Sequence, residues 1–138
     1  MEDASKHFVG KIAQKAIIEK DGKVLVCRGI GDSVWEFPGG RLHMDESPQE
    51  GLRREIFEEL NISVAVNGPI HICRSLHTKS STWRVLVAYH CALEEGQTLT
   101  IDPEEVEDAK WVSHEELKTL PMFDDCREVA DVFLKNLP

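Results

Sequence analysis

Apolar residues fall in short runs along most of this chain, and Gly, Asn, Asp and Pro mark the breaks between them. Residues 9–19 are rich in apolar and β-branched residues and run into Lys20-Asp21-Gly22-Lys23. Asp-Gly between two apolar runs predicts a hairpin, because the turn needs positive φ at both positions. The return strand is expected at 24–28, and a short third strand at 34–37, closed by Pro38-Gly39-Gly40. The period then changes. Leu52, Ile56 and Leu60 recur at helical spacing with Phe57 beside them, which predicts an amphipathic helix burying that stripe. Ser47 is placed as its N-cap, Pro48 suits the first helical position, and Glu50 completes a Ser-x-x-Glu capping box. Asn61 follows the last apolar residue, where a left-handed stop is expected.

Beyond this helix the pattern returns to strands. Residues 62–66 read as strand, and Asn67-Gly68-Pro69 turns or bends the chain. Residues 70–76 and 83–93 predict two strands around a polar loop. An acidic loop or turn at 102–108 precedes a short strand at 109–112. Ser113 and Glu116 form a second capping box for a brief helix, stopped at Pro121. A last amphipathic helix runs from about 125 to 137, with Val129, Val132, Phe133 and Leu137 inward. Hairpins imply antiparallel pairs, and a strand–helix–strand passage permits parallel ones. The expected fold class is α/β. One domain, 1–138, carries a mixed sheet covered by helices on both faces, an α/β/α sandwich.

Composition narrows the function classes. The 138 residues suit one domain, and 41% hydrophobic with 30% charged residues describes a folded globular chain rather than a disordered one. The net charge of −9 argues against non-specific binding to nucleic acid polymers or anionic membranes. It leaves a phosphate substrate open, because carboxylates and a divalent cation can together make a phosphate site. Cys27, Cys73, Cys91 and Cys126 form no C-x-x-C pair and no zinc-ligand spacing. They read as free thiols in a reducing compartment. With no apolar leader at the start and no run long enough to cross a bilayer, a cytoplasmic protein is expected. Monomer and homodimer are both compatible with the chain.

The chemistry concentrates in residues 39–62. Glu55, Glu58 and Glu59 stand at i, i+3 and i+4 and converge on one face of the predicted helix. Convergent carboxylates are hard oxygen ligands of the kind Mg2+ prefers, with Mn2+ as a substitute. Glu58 and Glu59 can grip the ion together, and Glu55 can complete the shell or accept a proton from water. Gly39 and Gly40 allow close backbone approach, and Glu46 can reach the metal or brace the helix. Arg54, four residues before Glu58, can hold a carboxylate in place. The same stripe is also the pattern of a solvated acidic face, although like charges so close repel.

Gly40, Glu46, Arg54, Glu55, Ile56, Glu58, Glu59 and Ile62 stand at the spacing of G-x5-E-x7-R-E-U-x-E-E-x-G-U, where U is aliphatic. This motif resembles that of the Nudix hydrolases. Asn61 replaces the last Gly, and the preceding WEFPGG is similar to the MutT-like branch. The resemblance implies hydrolysis of a nucleoside diphosphate linked to another group. It makes Glu58 and Glu59 metal ligands, Glu55 a ligand or general base, Glu46 an auxiliary ligand or brace, and Arg54 an orienting residue. The Gly39 carbonyl can add a ligand. A further acidic ligand is expected before a late Trp-containing strand. Of Glu104, Glu105 and Glu107, which precede Trp111, Glu105 is favoured.

Tags of the ADP-ribose, diadenosine-polyphosphate and NADH hydrolases are missing from the chain, which favours a small nucleoside triphosphate, oxidised purines included, over an ADP-ribose or other NDP-sugar substrate. A nucleotide sensor without turnover fits poorly with an acidic box that has lost no carboxylate. By resemblance, Arg28 contacts phosphate, and Asp124 or Asp125 reads a base, with Phe123 packing on it. A carboxylate can accept from an exocyclic amino group. Either Asp can instead cap the last helix.

Overall fold

The computed structural model describes residues 4–138. Six strands, β1 (Lys11–Lys20), β2 (Lys23–Gly29), β3 (Gly39–Arg41), β4 (Val64–His77), β5 (Thr82–Leu93) and β6 (Val106–Ser113), form one mixed sheet. Its order is β4-β5-β1-β2-β6, with β3 also paired to β1. The parallel pair is β1 with β5; the other pairs are antiparallel. Helix α1 (Pro48–Leu60) covers one face, and α2 (His114–Thr119) and α3 (Asp124–Lys135) cover the other. This is the expected α/β/α sandwich.

Alternation along the central strands feeds both layers. Ala16, Ile18 and Leu25 pack with Leu52, Ile56 and Leu60 of α1. Ile17, Val24 and Val26 pack with Leu117, Cys126 and Val129 on the opposite side. Burying so many apolar side chains at ~1.5–3 kcal/mol each supplies the main drive for folding.

The hairpin turn forms as predicted, with Asp21 and Gly22 at φ 52° and 75°. β1 and β2 pair only beside that turn, at Glu19 with Val24 and Lys20 with Lys23. Further along they diverge, and β3 takes the free side of β1, setting Gly39 against Lys15 and Gly40 against Gln14. The third strand is therefore displaced from its predicted place at 34–37. Trp35 and Glu36 make only single bridges, to Met122 and Cys27. The turn predicted at Asn67-Gly68-Pro69 is instead a bulge within the continuous strand β4. The register with β5 shifts there, because Pro69 has no N–H to give to the ladder.

Helix α1 starts and stops where its sequence signals lie. Ser47 Oγ accepts from the Glu50 N–H, and Asn61 adopts φ 56°, ψ 36° with its N–H on the Phe57 carbonyl. Phe57 departs from expectation: it is 56% exposed, on the side of α1 away from the buried stripe. Left-handed backbone costs an L-residue about 1–2 kcal/mol, less for Asn and nothing for Gly. Asn61→Gly is therefore expected to raise stability by up to about 1 kcal/mol, and Asn61→Val to lower it by about as much or more, in urea unfolding.

Candidate metal and nucleotide site

Arg54 is the hub of the box. Its guanidinium grips Glu46 in bidentate fashion, Nε on Oε2 and Nη2 on Oε1, both at 2.8 Å. Nη1 donates to Glu55 Oε1 at 3.0 Å and to Glu58 Oε2 at 3.2 Å. One cation thus fixes three carboxylates, from the loop and from two positions of α1. The fork geometry of arginine suits this, whereas a lysine could not span it. The Arg54 hydrogen bonds, and then the His43 N–H, hold the Glu46 carboxyl down at about 2.

Glu59 points the other way, under β3. Its Oε1 accepts the Gly39 N–H at 3.0 Å. Burial pushes its carboxyl up to about 8, against the pull of Lys15 and the Gly39 N–H. Lys15, 3% exposed, donates to Glu36 Oε1 at 2.7 Å and reaches the Gly39 carbonyl at 3.5 Å. Burial opposes its charge, yet Glu36, and more weakly Glu59, keep it protonated. Sequence reading missed Lys15 and Glu36. The available signal was a lysine in the middle of an otherwise buried strand, a position where a charge needs a partner.

The glycine pair gives β3 its close approach. Gly39 has φ 143°, and a Cβ there would lie 2.0 Å from the Gln14 carbonyl. A Cβ on Gly40 would lie 2.4 Å from the Glu55 carboxyl carbon, so Glu55 rests directly on that backbone. Because the clashing group is the end of a flexible side chain, Gly40→Ala is expected to displace Glu55 rather than unfold the protein. The result should be a fall in kcat of about tenfold with little change in melting temperature, read by steady-state kinetics and thermal denaturation.

Loop 94–105 docks on the end of α1. The Thr100 and Asp102 N–H groups donate to the Leu60 and Glu59 carbonyls at 3.0 and 2.9 Å. This carries Glu105 to the box, where partial burial and then the Glu58 and Glu55 charges push its carboxyl up. Glu107 is instead ion-paired with Arg28. Arg28 also donates to the Asp32 carbonyl and lies over the Trp35 ring at 5.4 Å.

A cleft at the start of α3 is lined by Val34, His77, Met122, Phe123, Asp124 and Asp125. His77 and Phe123 face each other at 5.5 Å between ring centroids. Asp124 is exposed at this cleft, whereas Asp125 is buried. The Asp125 Oδ2 accepts from Ser75 Oγ and Arg84 Nε, both at 2.7 Å. Neither is the helix N-cap; that position is Phe123, without a side-chain cap. A neighbouring groove is lined by Lys11, Arg41, His77, Lys79 and Arg84. A third depression brings Lys11 and Arg41 to Gly40 and Glu55. Lys11, Arg41 and Lys79 were not singled out in the sequence, because they lie far apart along it and only the sheet collects them.

A capped helix presenting oxygen donors at one edge of an α/β/α sandwich, beside a basic groove, has the architecture of a hydrolase of phosphorylated substrates. The NUDIX domain model matches residues 13–133, and the chain belongs to this family: it is a Nudix hydrolase. The CTP pyrophosphohydrolase of Escherichia coli (strain K12) is 34% identical over 113 residues, 78% of each chain. A MutT-like protein of Streptomyces ambofaciens is 41% identical over 51 residues, 37% of this chain and 33% of that protein. Among solved structures, the E. coli ORF135 protein superposes with a TM-score of 0.76 at 29% identity, covering 91% of this chain and 89% of that one. Family members act on small nucleotides with a divalent cation. Among the described residues, no helix is long and apolar enough to cross a membrane.

Proposed function

We propose that the chain is a MutT-like nucleoside triphosphate pyrophosphohydrolase that works with Mg2+ and releases a nucleoside monophosphate and pyrophosphate. The observation that carries this reading is the Arg54 hub, which holds Glu46, Glu55 and Glu58 together beside the Gly39–Glu59 pair. All the donors are oxygens, and among the described residues Glu59 makes no ion pair, its Oε1 accepting instead from the Gly39 N–H, so the set fits a hard divalent ion. Glu58 and Glu59 would be its main ligands. Glu55, Glu105 and the Gly39 carbonyl are further donors, and Mn2+ is the expected substitute. Such an ion neutralises phosphate charge and lowers the pKa of an attacking water.

The protein's own groups do the rest. Glu55, resting on Gly40, accepts a proton from water as its oxygen attacks phosphorus and the P–O–P bond breaks. Arg54 keeps the carboxylates from repelling one another, and Glu46 fixes Arg54. Lys11, Arg41 and Lys79 line a path for the phosphates from the box to the α3 cleft, with Arg28 at the rim. Asp124, exposed at the cleft, accepts from an exocyclic base amine, and Phe123 packs on the base. Asp125, engaged with Ser75 and Arg84, braces the wall behind it. The CTP pyrophosphohydrolase relative makes cytidine nucleotides the first to try, and cytosine carries such an amine.

A panel of CTP, dCTP, the other (d)NTPs, oxidised purine triphosphates, ADP-ribose and UDP-sugars, with Mg2+ or Mn2+, tests the reading. Pyrophosphate release from a triphosphate is expected. Turnover confined to the sugar diphosphates, with sugar phosphate as product, would replace the substrate assignment. No turnover of any triphosphate would end it.

A further inference from the structure

Strand β4 and helix α3 bring together three side chains that neither the box nor the nucleotide cleft uses. His71 and Cys73 stand two residues apart on β4, on the side that packs against α3. Glu128 lies one turn beyond Asp125 on α3. His71 Nε2 is 2.6 Å from Glu128 Oε2, and one donor atom from each of His71, Cys73 and Glu128 lies within 4.8 Å of the others. The ligands of one tetrahedral Zn2+ at about 2.0–2.3 Å stand about 3.3–3.8 Å apart. Side-chain rotations that open the His71–Glu128 contact and draw in the wider pairs bring the three donors to that spacing.

We propose that His71, Cys73 and Glu128 form a second divalent-cation site, of the zinc class, which ties β4 to α3. The donors are an imidazole nitrogen, a thiolate and one carboxylate. That set suits Zn2+ or Co2+, whereas Mg2+ prefers the all-oxygen box. Cys73 sits against the apolar core, while Glu128 is exposed, which leaves solvent to supply a fourth ligand. Cys73 binds as a thiolate, so the cation takes the place of the thiol proton. Glu128 lies one turn after Asp125, so the site anchors the helix turn that walls the nucleotide cleft. His-x-Cys is no recognised zinc spacing in the sequence. It becomes one only on a strand with a helical carboxylate above it.

Titration of the metal-stripped full chain with Co2+, in excess Mg2+ to fill the box, tests this. One equivalent of Co2+ should give thiolate-to-cobalt charge-transfer absorption that Zn2+ bleaches. Cys73→Ser should abolish the band, and His71→Gln and Glu128→Gln should each weaken Co2+ affinity about tenfold or more. Circular dichroism checks that each variant is folded, and the two Gln variants change partly exposed side chains. Absence of the band, its survival in the Cys73→Ser variant, or unchanged affinity in both Gln variants would overturn the site.

Discussion

Glu58→Gln is expected to lower kcat by about 10³-fold, since the several kcal/mol of charge stabilisation a divalent ion gives the transition state depends on its ligands. The substitution is close to isosteric. Glu58 contacts Arg54 through one oxygen at 3.2 Å, and its side chain is 45% exposed. A glutamine carbonyl can accept the same bond, so the free energy of unfolding should stay within about 0.5 kcal/mol of the parent. What is lost is the negative charge at the metal. Glu46→Gln makes the opposite comparison: it breaks a bidentate pair with Arg54 and should act on the geometry of Glu55 and Glu58 rather than on charge at the ion. A smaller loss of kcat is expected for Glu46→Gln than for Glu58→Gln. Steady-state kinetics with urea unfolding of both variants checks this. Near-parental activity of Glu58→Gln would remove Glu58 from the ligand set.

The contrast between these two glutamates also shows what the sequence could and could not convey. Local signals were legible because they are local. Ser47, Pro48 and Asn61 fixed the ends of α1 through caps within a few residues, and Asp21-Gly22 fixed a turn. The spacing of Glu55, Glu58 and Glu59 placed them on one helix face before any fold was known. The Arg54–Glu46 pair was within reach of the same motif, but its bidentate form and its dominance over the Glu58 contact were not. Long-range arrangement was not legible. β3 forms at 39–41 because β1 and β2 diverge and leave β1 with an open edge, and no pattern in residues 34–37 reports that. The bulge at Asn67–Pro69 reads as a turn because turn residues and bulge residues are the same types. Asp124 and Asp125 are adjacent and chemically identical. Only the strand β4 and Arg84 separate them, burying one and leaving the other at the cleft. Lys15 gave a signal, a charge inside a buried strand, but its partner Glu36 lies 21 residues away.

Affinity for the divalent ion should rise steeply with pH up to about 8. The cause is Glu59, whose carboxyl is pushed up to about 8 by burial beside β3. A metal ligand must be deprotonated, so below that value each pH unit should cost about tenfold in affinity. Between pH 6 and 8 the gain should therefore be about 50-fold, since Glu59 is half deprotonated at about pH 8. Metal-free stability runs the other way. The folded protein holds a proton on Glu59 up to about pH 8, whereas the unfolded chain releases it near the ordinary value of 4.5. The unfolded state thus binds fewer protons across that interval, and the contribution of Glu59 to stability falls as pH rises through it. Adding the ion offsets this, because it binds only the folded, deprotonated form. The gap in melting temperature between Mg2+-loaded and metal-free protein should accordingly widen from pH 6 to pH 8. Mn2+ binding followed by electron paramagnetic resonance at several pH values, with paired thermal melts, checks both slopes. Glu59→Gln should bind the ion more weakly and flatten the pH dependence. A slope unchanged in that variant would place the titrating ligand elsewhere, with Glu105, whose carboxyl is also pushed up, the next to replace.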